Sequence, residues 1–200
     1  MPSKLQLRSL KAGAFLLCLW PAANLTWALF NNKLGANPVE ELLRENGIWA
    51  LNFLLITLAV TPVRRLTGLT WLVRFRRMLG LFAFFYALLH FAIYVSLDLQ
   101  FDFPNLAEDI IERPYITIGF AAVLLLFPLA ITSTNSMMRR LGRRWLTLHT
   151  LIYPIAILGV WHYWWLVKKD ITEPVIYALV LCLLLGSRLF HRVRRFAKTA

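Results

Sequence analysis

Three histidines in apolar stretches are the side chains of this sequence whose type and position are most able to do chemistry. His90, His149 and His162 lie among aliphatic and aromatic residues, whereas the fourth histidine, His191, lies in an arginine-rich tail. A neutral imidazole is a common metal ligand and a proton carrier. Ionisable groups in strongly apolar segments are costly and usually functional. We therefore take the three apolar histidines as candidate metal ligands and His191 as part of a basic tail.

The elements that carry these histidines are predicted to be membrane-spanning helices. Of the 200 residues, 59% are hydrophobic and 16% are charged, against about 45–50% and about 25% in soluble domains. Six apolar runs approach the length of about 20 residues that spans a bilayer, and such runs must be helical because lipid cannot satisfy the backbone. The runs are Leu10–Phe30, Gly47–Val63, Met78–Leu97, Tyr115–Thr132, Leu146–Val167 and Pro174–Phe190. The predicted fold class is an all-α bundle of six transmembrane helices, a single domain over residues 1–200 without an evident internal repeat.

The charged residues indicate how this bundle is oriented. Basic residues without any acidic residue precede the first run, follow the second and the fourth, and follow the sixth as far as Lys198. The remaining links hold all ten acidic residues, together with Lys33, Arg44, Arg113, Lys168 and Lys169. The positive-inside rule then predicts that both termini are cytoplasmic. The net charge of +12 is matched to anionic membrane lipid rather than to nucleic acid.

Two segments at the membrane surface need separate interpretations. The first run follows three basic residues, as in a signal peptide, but it is long and lacks a small-residue cleavage site, so we expect it to be retained. The acidic link Asp98–Pro114 is compatible with a short interfacial helix over Asn105–Arg113, with a docking surface or with a solvated loop.

His90 and His162 are predicted to share one depth in the membrane. His90 lies eight residues before Asp98 and His162 six before Lys168, which places both about 9–12 Å from the outer boundary. His149 lies about 20 Å further in, and a straight helix turns it about 140° away from His162, unless Pro154 kinks the helix. Two histidines at one depth suit a haem with two axial imidazoles. Interhelical hydrogen bonds and an ion or proton path remain alternatives.

The inner level offers His149 and a group of arginines at the start of the third run. Arg74, Arg76 and Arg77 are candidates for contact with a haem propionate or a flavin phosphate, because a guanidinium is a strong anion binder and a poor iron ligand. The alternative is ordinary retention of positive charge on the inner side. The inner site is therefore predicted to be a single-histidine haem site, a flavin site or empty.

Several other functions are disfavoured by what the sequence lacks. It contains no Walker A loop, no Rossmann glycine fingerprint, and no Ser-His-Asp or zinc motif. No carboxylate lies deep in a predicted span, which disfavours a proton-coupled transporter. Electrons for a redox function would therefore come from a quinone or from a separate protein.

A set of short motifs resembles the bacterial MsrQ (YedZ) family over nearly the whole chain. They are Thr61–Pro62, Arg74–Gly80, His90, Arg113–Tyr115, Ile131–Thr134, Leu141–Gly142, Trp145, Leu148–His149, Tyr153 and His162–Tyr163. That family is the haem-binding membrane subunit of the protein-methionine-sulfoxide reductase system and belongs to the ferric reductase-like transmembrane group.

The resemblance implies a bacterial inner-membrane subunit that is not itself catalytic. It would pass electrons from the quinone pool, or from a cytosolic flavin reductase, to MsrP, a periplasmic molybdopterin enzyme with which it forms a heterodimer. The implied cofactors are haem b, one or two per chain, and FMN. The implied iron ligands are His90, His149 and His162.

Two alternative functions remain open at this point. One is a haem-free membrane scaffold or transporter in which the histidines join helices. The other is a ferric or oxygen reductase subunit that holds haem but serves a different acceptor.

Overall fold

Helices make up nearly all of the computed structural model, which describes residues 2–167 and 169–196. No strand occurs in those ranges. The α-helices are α1 (Lys4–Phe30), α2 (Pro38–Thr67), α3 (Arg76–Ile93), α4 (Phe103–Glu112), α5 (Pro114–Ile131), α6 (Asn135–Leu141), α7 (Arg143–Leu148), α8 (Ile152–Leu166) and α9 (Thr172–Phe196). Two 3₁₀ segments, Thr70–Phe75 and His149–Leu151, and a π-helical turn, Tyr94–Asp98, continue these helices.

Six stretches of helix in the described chain are long and apolar enough to cross a membrane. They are formed by α1, by α2, by α3 with its flanking turns, by α5, by α7 joined to α8, and by α9. The predicted all-α fold with six transmembrane helices is thus confirmed. Its orientation and the extent of the single domain stay predictions, and Lys168 and Lys198, which entered the charge pattern, lie outside the described residues.

Local sequence determines where the spanning helices begin and end. The side chain of Asn37 accepts from the backbone of Glu40 at the start of α2, just before Pro38 in the first turn. At the other end, Gly68 has a φ of +72°, a left-handed conformation that glycine adopts without strain. Proline also opens α5 at Pro114, where its missing N–H costs nothing.

A tyrosine of α3 connects α1 to the rest of the bundle. Pro21 lies inside α1, and the buried hydroxyl of Tyr86 is inserted beside it. That hydroxyl donates to the carbonyl of Cys18 at 2.8 Å and accepts from the N–H of Ala22 at 3.1 Å. An inserted side chain of this kind satisfies backbone groups of an interrupted helix. The bond fixes α1 against α3 one turn before His90.

The bundle is organised around α2, the most buried of the six spans. α2 packs mainly against α3, and α5 packs mainly against α8. Leu58, Tyr86 and Ile155 in the middle of the bundle are fully buried. Each histidine-bearing helix, α3 or α8, therefore has its own close partner helix.

The acidic link between α3 and α5 forms a short amphipathic helix, α4, rather than a solvated loop. Asp102 caps it, and Asp109 is its buried acidic residue. The carboxylate of Asp109 accepts from the hydroxyl of Tyr94 and pairs with Arg113 at 3.0 Å. The same carboxylate raises the pKa of the Arg113 guanidinium. These contacts attach α4 to the outer ends of α3 and α5.

Candidate functional site: two histidines against two helix backbones

The rings of His90 on α3 and His162 on α8 lie next to each other inside the bundle. Their centroids are 6.2 Å apart and their planes are inclined by 78°. Both side chains are partly buried. The two histidines expected at one depth are therefore neighbours in space.

Each ring makes a hydrogen bond to the backbone of a neighbouring helix. Nδ1 of His90 lies 2.9 Å from the carbonyl oxygen of Leu43 on α2. Nδ1 of His162 lies 2.7 Å from the carbonyl oxygen of Tyr115 on α5. A carbonyl can only accept, so each Nδ1 donates and Nε2 of the neutral ring carries a lone pair. A metal-ligating histidine usually has its other ring nitrogen engaged in this way.

Two glycines allow the rings to approach so closely. A Cβ atom added to Gly47 of α2 would lie 3.1 Å from Nδ1 of His90, and one added to Gly119 of α5 would lie 2.8 Å from Nδ1 of His162. Real Cβ atoms essentially never come within 3.0 Å of another heavy atom. Glycine at position 119 is therefore required for the observed ring placement, whereas at position 47 a Cβ would fit only with a small shift of the ring. Sequence analysis did not identify either residue.

The two halves of the site repeat the same spacing. Each histidine follows its glycine by 43 residues, and each accepting carbonyl belongs to the residue four before that glycine. The second glycine and the second histidine follow the first by 72 residues. The sequence shows no evident repeat, because only the few residues that touch the rings preserve the relation. It becomes visible only when the contacts are known.

The arrangement fits a metal that has only two protein ligands. With Nδ1 engaged to a carbonyl, each imidazole keeps Nε2 as the nitrogen that would bind a metal, and the two rings are close enough to hold one ion together. The observed separation is 6.2 Å. In the described ranges, no three His, Cys, Asp or Glu residues cluster to hold an ion. Haem iron fits such a pair, because the porphyrin supplies its other ligands.

His149 lies thirteen residues before His162 and has different surroundings. Its ring stacks on Trp145 with centroids 3.9 Å apart, and its Nε2 lies 3.1 Å from Oγ1 of Thr132. The Thr132 hydroxyl also lies 2.5 Å from the carbonyl of Pro128. Because it can donate only one proton, and a carbonyl must accept, Nε2 of His149 is the donor to Thr132. His149 thus leaves Nδ1 rather than Nε2 as its basic nitrogen.

A 3₁₀ segment interrupts the helix between His149 and His162. It spans His149–Leu151 and ends shortly before Pro154. Proline has no N–H to donate and its ring clashes with the carbonyl four residues earlier, which explains the break at this point. The angle computed for a straight helix therefore does not apply to this pair.

The three predicted arginines of the inner level have different surroundings. Arg74 is exposed in the 3₁₀ turn before α3. Arg77 is exposed and its guanidinium donates to Oδ1 of Asn135. Arg76 is partly buried. Arg77 also stands thirteen residues before His90, as His149 stands thirteen before His162.

Arg188 is an inner-level residue that sequence analysis counted only as a basic residue of the tail. It lies near the end of α9 and is partly buried. Its guanidinium donates to the Tyr153 hydroxyl at 2.7 Å and to the Leu58 carbonyl at 2.6 Å, while its Nε is buried without a hydrogen-bond partner. A cation with no acceptor for one donor is a candidate for binding an anion. Sequence analysis could have identified Arg188 from its position inside the sixth apolar run, because a charged residue in such a run is usually functional.

Comparison with known protein families gives a match over much of the chain. Residues 46–160 match the family described as ferric reductase like transmembrane component. His90 and His149 fall within the matched segment, and His162 lies two residues beyond its end. No solved structure gives a significant match.

Individual relatives are similar over most of their length. A protein of Xanthomonas euvesicatoria pv. vesicatoria is 55% identical over 188 residues, which cover 91% of this chain and 86% of the relative. One of Xanthomonas oryzae pv. oryzae is 58% identical over 84% of this chain and 77% of the relative. One of Azospira oryzae is 51% identical over 96% and 84%. All three are named protein-methionine-sulfoxide reductase heme-binding subunit MsrQ.

Proposed function

Because the chain belongs to the ferric reductase like transmembrane family and, within it, to the MsrQ subunits, we propose that it is the haem-binding membrane subunit of a protein-methionine-sulfoxide reductase system. It transfers electrons and does not itself reduce the sulfoxide. The observation that carries this proposal is the pair formed by His90 and His162, with ring centroids 6.2 Å apart.

The side chains around this pair have defined tasks. A haem b held there supplies a one-electron carrier inside a layer that electrons do not otherwise cross. The carbonyls of Leu43 and Tyr115 fix the tautomer and the orientation of the two rings. Gly47 and Gly119 provide the space for these bonds. The apolar helices keep water away, which with the axial ligands sets the redox potential.

The inner level is proposed to hold a second cofactor near His149. The basic groups available there are Arg76 and Arg188, with Arg74 and Arg77 at the surface. Guanidinium groups in this number suit an anionic cofactor such as a second haem b, through its propionates, or FMN, through its phosphate. A second carrier at this depth would shorten each electron transfer across the membrane.

The acceptor is proposed to be a periplasmic reductase of the MsrP type, bound as a heterodimer. With both termini in the cytoplasm of a bacterial inner membrane, α4 and the other acidic links face the periplasm. Their carboxylates can attract a partner that presents a basic surface. The proposed electron donors are the quinone pool and a cytosolic flavin reductase.

Visible spectroscopy of the purified protein tests the haem assignment. We expect sharp b-type bands in the reduced-minus-oxidised spectrum and a haem content of one or two per chain. His90→Ala and His162→Ala should each abolish the low-spin haem of the pair. His191→Ala is the matched control, since His191 is exposed at the end of α9, and it should leave the bands intact. An unchanged spectrum in His162→Ala would disprove the ligand assignment.

A further inference from the structure

A groove between α2 and α9 is a feature of the bundle that the histidine pair does not explain. Its volume is about 610 Å³, within the range of about 300–1,000 Å³ that small-molecule sites occupy. One face of α2 and one face of α9 line it, and the groove is open on one side. Because both helices are membrane spans, this open side faces lipid. A molecule dissolved in the bilayer can therefore enter it sideways.

The polar residues of the groove lie at two depths. Arg44, Glu45 and Glu173 line its outer end, and Asn52 and Tyr177 line its middle. Asn52 follows Arg44 by eight residues, which places it about 12 Å deeper along α2. The rest of the lining is aliphatic. A phospholipid keeps its polar head at the surface, so an amide and a phenol at this depth suit a small uncharged polar ring with an apolar tail.

The middle pair of polar side chains still has hydrogen-bonding capacity. The Tyr177 hydroxyl donates to Oδ1 of Asn52 at 2.9 Å. Asn52 keeps the two donors of its amide nitrogen, and the Tyr177 oxygen keeps lone pairs. Together they can donate to a ring carbonyl and accept from a ring hydroxyl, so they suit both redox forms of a quinone.

The groove is also adjacent to the histidine pair. Arg44 and Ile48, which line it, directly follow Leu43, whose carbonyl accepts from His90, and Gly47, where an added Cβ would meet the His90 ring. On the other side, the Tyr177 ring packs edge-on against Tyr163 at 5.7 Å, and Tyr163 is the neighbour of His162 in the chain.

We propose that the groove between α2 and α9 binds a lipid-soluble hydroquinone and is the place where this subunit takes up electrons. The proposal rests on the haem-binding function proposed above. The hydroquinone gives up the hydrogen of each of its two O–H bonds and becomes the quinone. A haem held by His90 and His162 would accept these two electrons one at a time, in two successive oxidation steps of the hydroquinone. Its two protons leave to water through the outer end of the groove, where the Glu173 carboxylate accepts from the Tyr163 hydroxyl.

A pair of tryptophan substitutions on one helix tests the proposal. Val180→Trp fills the groove from α9, whereas Leu183→Trp adds the same ring to a highly exposed position outside the lining. Titration calorimetry of the purified holoprotein with decyl-ubiquinone measures binding without turnover. We expect Val180→Trp to weaken binding at least tenfold and Leu183→Trp to leave it unchanged. Asn52→Leu, which keeps side-chain size but removes the amide, should weaken it as well.

Haem reduction separates failure of this site from failure of the haem function. Decyl-ubiquinol should reduce the haem at least tenfold more slowly in Val180→Trp than in Leu183→Trp, while dithionite should reduce both to the same extent. Equal quinone binding by the two tryptophan variants would overturn the proposal. If, in addition, a phospholipid co-purifies with the Leu183→Trp protein but not with the Val180→Trp protein, the groove holds a phospholipid instead. If the purified protein contains no haem but binds decyl-ubiquinone only when Val180 is intact, the groove proposal stands and the haem-binding function is refuted.

Discussion

Replacement of Gly119 by alanine is the sharpest test of how the histidine pair is held. The added Cβ would lie 2.8 Å from Nδ1 and 2.9 Å from Cε1 of His162, and ordinary contact begins near 3.4 Å. The ring must therefore move by roughly 0.6 Å, beyond the displacement of about 0.5 Å that a preorganised site tolerates. In Gly47→Ala the shortest contact is 3.1 Å, to Nδ1 of His90, so a shift of roughly 0.3 Å suffices.

The displacement also weakens the hydrogen bond that orients the ring. Nδ1 of His162 lies 2.7 Å from the Tyr115 carbonyl, and the added methyl group would lie beside that contact. Loss of such a supporting bond typically costs about 10–100-fold in metal affinity. Alanine favours helix over glycine by about 1 kcal/mol, so lost helical stability cannot account for lost haem. We expect a large loss of low-spin haem in Gly119→Ala and a smaller one in Gly47→Ala.

The assay is haem content per chain together with the reduced-minus-oxidised visible spectrum. Gly159→Ala is the matched control, because Gly159 lies on α8 three residues before His162 and its added Cβ would be in ordinary contact with Cδ1 of Leu51 at 3.4 Å and Cδ1 of Leu54 at 3.8 Å. This control should retain full haem content. Normal haem content in Gly119→Ala, or a larger loss in Gly47→Ala than in Gly119→Ala, would refute the reasoning from ring contacts.

Two further predictions concern the supports of the site. Tyr86→Phe leaves two backbone groups of α1 unpaired near Pro21, so it should lower the free energy of unfolding by about 1–3 kcal/mol. The loss is measurable as reduced thermal stability in detergent, and unchanged stability would contradict the role of this bond. Thr132→Val removes the hydrogen-bond partner of His149. In a redox titration it should therefore alter only the midpoint potential of the component assigned to the inner level. A change confined to the haem of the histidine pair would contradict the separation into two levels.

Sequence analysis predicted the membrane fold well because few physical alternatives exist in lipid. A run of about 20 apolar residues must become a helix when no water is present to bond its backbone, and the six predicted runs correspond to the six observed spans. The interfacial helix over the acidic link was one of three predicted alternatives and is present as α4. The observed helix begins two residues before the predicted start at Asn105, because Asp102 caps it and Pro104 lies in its first turn.

The sequence correctly paired His90 with His162, but it could not predict how far the helix rotates between His149 and His162. The rise per residue placed His90 and His162 at one level, and their rings are neighbours. The same arithmetic assumed a straight helix from His149 to His162 and could not place the 3₁₀ segment at His149–Leu151. The assignments of His90, His149 and His162 as iron ligands and of Arg74, Arg76 and Arg77 as anion contacts stay predictions.

By itself, the sequence predicted that this protein lies in lipid, that six helices span the membrane, and that two of its histidines share one level. These predictions are possible because hydropathy and helical rise are properties of one segment at a time. Tertiary structure decided which helix backbone each ring contacts, that Gly47 and Gly119 lie against the rings, and that Asn52 and Tyr177 line one groove. These relations join residues that are 43 to 125 positions apart. Such contacts depend on the rotation and packing of whole helices against each other, which no local pattern of residues encodes.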